Sequence, residues 1–133
     1  MLPLEFVVMG TPISAQGSAE AKRLWKQLVK SAADDALKSG DQPSNDSLTL
    51  RIAYFYMDAP AADLDNIVKP IQDALTGIAF ANDVQVVDLI ASMRPKAGND
   101  RIEMSVSLSS GFAGNSDFVH VVVDYSSRIE VFR

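Results

Sequence analysis

Between residues 47 and 93 the sequence sets out a strand, a helix and a second strand with short connections between them. SLTLRIAYFYM (47–57) alternates apolar with polar residues and is rich in β-branched and aromatic side chains, the pattern of a strand. DAPAA is a brief connection, and the spacing then predicts a helix over 66–76 stopped by Gly77. VQVVDLIASM (84–93) follows as another strand. A unit of this kind brings the end of one strand close to the start of the next. The acidic residues at those two places, in DLDN (63–66) and AND (81–83), are therefore the first candidates for a shared site.

The flanking segments extend the pattern. LEFVV (4–8) reads as a strand and GTPISAQGS as a loop. Ser18 is placed to cap a helix running to about Lys38, with Gly40 ending it. Leu24, Leu28, Ala32 and Ala36 form one face at helical spacing, with Trp25 and Val29 alongside. RPKAGND reads as a turn, RIEMSVSLS as the hairpin partner of the third strand, and GFAGNSD as a break. FVHVVVDY and RIEVF are expected to form a final hairpin. The fold class is α/β or α+β: a mixed sheet carrying two helices, in the order β-α-β-α-β-β with a C-terminal β-hairpin extension. The expected organisation is a domain over 1–108 and a β-rich extension over 109–133 packed on it.

With 133 residues, 47% of them apolar, the chain has enough material for one folded core. It has no cysteine, which excludes disulfides and thiolate metal sites and fits a cytoplasmic setting. The N-terminal apolar run is far too short to span a bilayer, so no membrane association is expected. The formal net charge is −5. That balance by itself argues against a nucleic-acid binder. The charge is uneven, however, because AKRLWKQLVK (21–30) holds Lys22, Arg23, Lys26 and Lys30 and no acid.

On an extended segment Asp63 and Asp65 point to the same side, since side chains alternate with period two. Asp65 or Asn66 is placed to cap the helix behind them. An EF-hand loop is excluded: counted from Asp63, its fifth, sixth and twelfth positions are Ile67, Val68 and Ala74. An Asx-rich cap with a surface lysine is the plain reading of DLDN alone. Asp83, at the mouth of the next strand, adds a third carboxylate. Asp63, Asp65 and Asp83 together would make an all-oxygen site suited to Mg²⁺ or Mn²⁺, shared with a phosphate-bearing substrate. Clustered carboxylates repel one another without a cation. Lys69, one turn inside the helix, sits where negative charge grows in a transition state.

DLDNIVKPIQDALTGIAFANDVQVVDL (63–89) resembles the signature of the RusA family of Holliday-junction resolvases. The shared pattern is Asp-x-Asp-Asn, a lysine three residues on, an Asp-Ala-Leu helix, a glycine, and an acidic pair before Gln-Val. The resemblance implies a homodimeric endodeoxyribonuclease that binds four-way DNA junctions and makes paired nicks with Mg²⁺. It places the essential carboxylates on Asp63, Asp65 and Asp83 and the catalytic lysine on Lys69. Two departures stand out. The acidic pair is Asn82-Asp83 here, and DAPAADLDN lacks the basic residues that precede the family motif.

Other residues carry weaker signals. Lys22, Lys26 and Lys30 recur every fourth residue, as a DNA-binding phosphate stripe or as a solvated helix face. Asp73, one turn beyond Lys69, is spaced to pair with it. Arg94 and Lys96 read as a polar turn, Trp25, Tyr54, Phe55 and Tyr56 as core. His120 is the sole histidine, so no histidine-based triad is available. A carboxylate-pair glycosidase is disfavoured, because Asp63 and Asp65 are too close to flank a sugar bond. The second functional reading is a catalytically weak relative that binds DNA or a protein, with its carboxylates serving as a cap.

Overall fold

The computed structural model describes residues 2–98 and 102–126. Its elements run β1 (Leu4–Met9), α1 (Ala19–Ala36), β2 (Leu48–Tyr56), α2 (Leu64–Leu75), β3 (Val86–Pro95), α3 (Val106–Ala113) and β4 (Phe118–Tyr125). The strands form one mixed sheet in the order β1-β4-β2-β3. β2 and β3 are parallel, with α2 as their crossover, while β4 is antiparallel to both β1 and β2. This is the mixed strand-helix-strand sheet expected from the sequence.

Alternation along the strands divides the side chains between two faces. Leu4, Phe6 and Val8 of β1, Leu50, Ile52 and Tyr54 of β2, and Val119, Val121 and Val123 of β4 share one core. The same core takes Trp25, Val29 and Ala33 from α1, and Ile67, Ile71, Ala74 and Leu75 from α2. On the opposite face Phe55 and Phe118 stack with ring centroids 4.9 Å apart, and Leu108 and Phe112 of α3 close over them.

Several local expectations are corrected. The buried stripe of α1 is Trp25–Val29–Ala33, while Leu24 and Leu28 are about half exposed. Both frames fit a helical period, and only the position of the sheet selects between them. Ser18 does cap α1, its Oγ accepting from the Ala21 amide at 3.1 Å. The helix stops at Ala36 rather than Lys38, because the Asp41 carboxylate accepts from the Lys38 amide at 2.8 Å and Gly40 turns the chain at φ +90°.

The segment 102–108 is no hairpin partner of β3. Ser105 caps α3, accepting from the Leu108 amide at 3.1 Å, and the helix buries Leu108 against Phe55 and Phe118. Part of GFAGNSD is therefore helix, with Gly111 packed directly under the Phe118 ring. FVHVVVDY is a strand, but it pairs with β1 and β2 in the middle of the sheet. RIEVF lies outside the described residues. No helix among the described residues is long and apolar enough to cross a membrane.

Candidate active site

The site is built where α2 leaves its connection from β2. Asp63 is the residue before the helix, extended at φ −65° and ψ 153°. Its carbonyl accepts from the amides of Asn66 and Ile67, but its carboxylate makes no cap bond. The helix begins at Leu64, two residues earlier than the expected Asn66, so the capping position belongs to Asp63. Asp65 lies inside the first turn, where the helix dipole favours a carboxylate. The two acids are thus not on one extended segment: one is extended and the other helical. Both are exposed.

Lys69 comes one turn later, its Nζ 2.8 Å from Asp73 Oδ1. Lys26 of α1 approaches the other oxygen of Asp73 at 3.9 Å. The hydrogen bond to Asp73 raises the Lys69 pKa above its ordinary value, and the charge of Asp73 adds to this. Desolvation opposes the shift slightly, and the charge of Asp83 contributes in the same direction as Asp73. The Asp73 pairing expected from the spacing is therefore present, and Asp83 lies within electrostatic reach of Lys69.

Asp83 opens a 3₁₀ turn, Asp83–Gln85, held by a reciprocal cap. The Asn82 side-chain oxygen accepts from the Val84 amide at 3.1 Å, and Gln85 Oε1 accepts from the Asn82 amide at 2.8 Å. Gln85 Nε2 then donates to the carbonyls of Ser44 and Asp46, at 2.7 and 2.9 Å. An amide oxygen caps a helix about as well as a carboxylate. Asparagine at position 82 thus keeps the turn that presents Asp83.

Pro70 falls in the second turn of α2. It has no N–H to give the Asn66 carbonyl. That carbonyl instead accepts from the Ala15 amide at 2.8 Å, and the Ala15 carbonyl accepts from Lys22 Nζ at 3.3 Å. The proline thereby ties the loop before α1 to the start of α2. Lys22, Lys26, Lys69 and Asp73 consequently line one pocket of about 230 Å³ with Ala15 and Pro70. Lys30 is exposed and is not among its lining residues.

Three exposed carboxylates are the oxygen donors that Mg²⁺ and Mn²⁺ prefer, so the donor set fits such an ion in kind. Yet among the described residues no three His, Asp or Glu side chains are gathered closely enough to hold one. Asp65 and Lys69 also rim a groove of about 470 Å³ between α2 and β3, floored by Leu64, Val68, Leu89 and Ala91.

Sequence reasoning missed Asp117, Gln85 and the hydroxyl of Tyr54. Asp117 is buried, and its carboxylate accepts from Tyr54, Thr11 and the Met57 amide. Nothing in the sequence flags it, since an aspartate before a strand is ordinary. Arg94 lies at the end of β3 rather than in a turn, and Lys96 is fastened to the carbonyls of Gly114 and Ser116. His120 is packed in the interior strand β4, 2.6 Å from Glu5.

The family model described as Endodeoxyribonuclease RusA matches residues 15–107. No curated protein matches the chain.

Proposed function

The chain belongs to the RusA endodeoxyribonuclease family, and from that premise we propose that it is a Mg²⁺-dependent nuclease that resolves four-way DNA junctions by paired nicks as a homodimer. Asp63, Asp65 and Asp83 are the residues we assign to the metal, with Mn²⁺ as an alternative ion. The observation that carries the reading is Lys69, a charged side chain held by Asp73 within the field of Asp83, beside Asp65 on the rim of the same groove.

The chemistry supplied by a bound divalent ion is polarisation of the phosphodiester and activation of the attacking water. The chain's own groups do the rest. Lys69 neutralises charge growing on the phosphate oxygens. Asp73 keeps that ammonium protonated and oriented. Lys22 and Lys26 hold a neighbouring phosphate beside Lys69 in the same pocket. A homodimer repeats this site about a two-fold axis, as paired nicks on a near-symmetric junction require.

The dispersed carboxylates favour the second reading, a binding module of low activity. One assay separates the two: a synthetic four-way junction against a linear duplex, each with and without Mg²⁺. The nuclease reading expects nicking of the junction only with the ion, and its loss in Asp65→Asn with junction binding kept. Undiminished nicking by Asp65→Asn would remove the assigned site. Metal-independent binding without nicking by the parent protein would leave only the binding module.

A further inference from the structure

We propose that Asp117 is a positioning residue for the acidic segment 63–65, acting through the hydroxyl of Tyr54. The inference rests on the nuclease reading above. Asp117 lies beyond the residues 15–107 matched to the family, immediately before the interior strand β4.

Asp117 is 9% exposed, and both of its carboxylate oxygens are engaged. Oδ1 accepts from the Met57 amide at 2.8 Å. Oδ2 accepts from the Tyr54 hydroxyl at 2.6 Å and the Thr11 hydroxyl at 3.2 Å. The Tyr54 oxygen accepts in turn from the Ala61 amide at 3.3 Å. The stretch from Met57 to Ala61 carries the chain from β2 to Asp63 without regular structure. It is therefore fastened at both ends, directly at Met57 and through the phenol at Ala61.

The other connection beside the site is fastened at the same point. Thr11 begins the loop whose Ala15 amide bonds to Asn66. Asp117 thus sits where the connections flanking the site cross. A buried carboxylate carries a desolvation cost that an apolar side chain would avoid. Its bonds fix backbone donors at defined places, which apolar packing does not do. Burial, then the bond to Asp117, pushes the Tyr54 pKa upward, so the hydroxyl stays a donor across the working pH range.

The test compares Asp117→Asn, Tyr54→Phe and the double variant with the parent protein. Asparagine can still accept from Met57, but its Nδ2 meets two hydroxyls that now need an acceptor. Phenylalanine frees the Ala61 amide and keeps the carboxylate, so it carries the test if the asparagine variant does not fold. Loss of outer support for ligands typically costs on the order of 10- to 100-fold in metal affinity or activity. A kcat reduction of that order for junction nicking is expected, together with a rise in half-saturating Mg²⁺. Junction affinity without metal should be unchanged. Amide exchange at Ala61 should quicken in the metal-free protein. The double variant should be little worse than the worse single one, because the residues act in series.

Variants that lose only thermal stability, with kcat, half-saturating Mg²⁺ and Ala61 exchange as in the parent, would overturn the proposal. If Asp65→Asn is inactive while Tyr54→Phe nicks normally, this inference alone falls. If Asp65→Asn itself nicks normally, the reading beneath it falls as well.

Discussion

Asp73 binds Lys69 with one carboxylate oxygen and faces Lys26 with the other. It is thus the counter-ion that assembles cations in an acidic protein. The folded-state pKa of Lys69 lies above its ordinary 10.5. The pairing therefore contributes fully below that value and is lost as pH rises through the higher folded-state value. An NMR titration of Lys69 should show a midpoint above 10.5 that drops in Asp73→Asn. Equal midpoints in the two proteins would mean that Asp73 does not hold the lysine. Glu5 behaves with the opposite sign. The Ser105 hydroxyl, and then His120, hold its carboxyl below the usual 4.5 despite some desolvation. Its contribution is present above 4.5 and fades as pH falls through the lower folded value. At this scale Lys69, Asp73 and the three acids were legible, because charge and spacing are written in sequence. Asp117 was not, because its partners are Thr11, Tyr54 and Met57, and only the closed sheet brings those together.

Each element is set by a local cap and then oriented by packing. α1 shows the two steps separately. Ser18 fixes where the helix starts, but the sheet chooses Trp25, Val29 and Ala33 over Leu24 and Leu28 as the inward face. Trp25→Ala should cost about 3–5 kcal/mol, whereas Leu24→Ala should stay within roughly 0.5 kcal/mol, both read by denaturant unfolding. Similar losses at the two positions would place the buried stripe elsewhere. α3 makes a sharper case. A methyl at Gly111 would lie 2.4 Å from the Phe118 ring. Gly111→Ala should therefore destabilise by about 1–3 kcal/mol, although alanine is normally the better helix former by about 1 kcal/mol. A gain in melting temperature would show that the ring yields freely. The same packing explains why residues 102–109, which alternate like a strand, do not form one. The Ser105 cap and the Phe55–Phe112–Phe118 cluster outweigh a weak alternation.

For the molecule as a whole, the position of β4 matters most. It hydrogen-bonds to β1 on one side and β2 on the other, so it closes the core rather than decorating it. A chain ending at Ser107, where the family match stops, would lose Val119, Val121 and Val123 from the centre of the sheet. It should show no cooperative thermal transition. A folded product of the shorter chain would show that the sheet closes without β4. The cationic pocket has a consequence at this scale too. On the proposed reading, Lys22, Lys26 and Lys69 offer phosphate contacts on a chain whose net charge is −5, so junction binding should fall steeply with added salt.

By itself the sequence determined what is local. Strand alternation, the Ser18 cap, the glycine stops and the charge of DLDN and Lys69 depend on residues within a few positions of one another. The strand-helix-strand unit and the family resemblance follow from such short spacings. Tertiary structure alone decided which face of α1 is buried, that 106–113 coils, that β4 is central, and that Pro70 hands the Asn66 carbonyl to Ala15. These outcomes turn on contacts between residues far apart in the chain, where several local patterns fit equally well and the packing of one shared core selects among them.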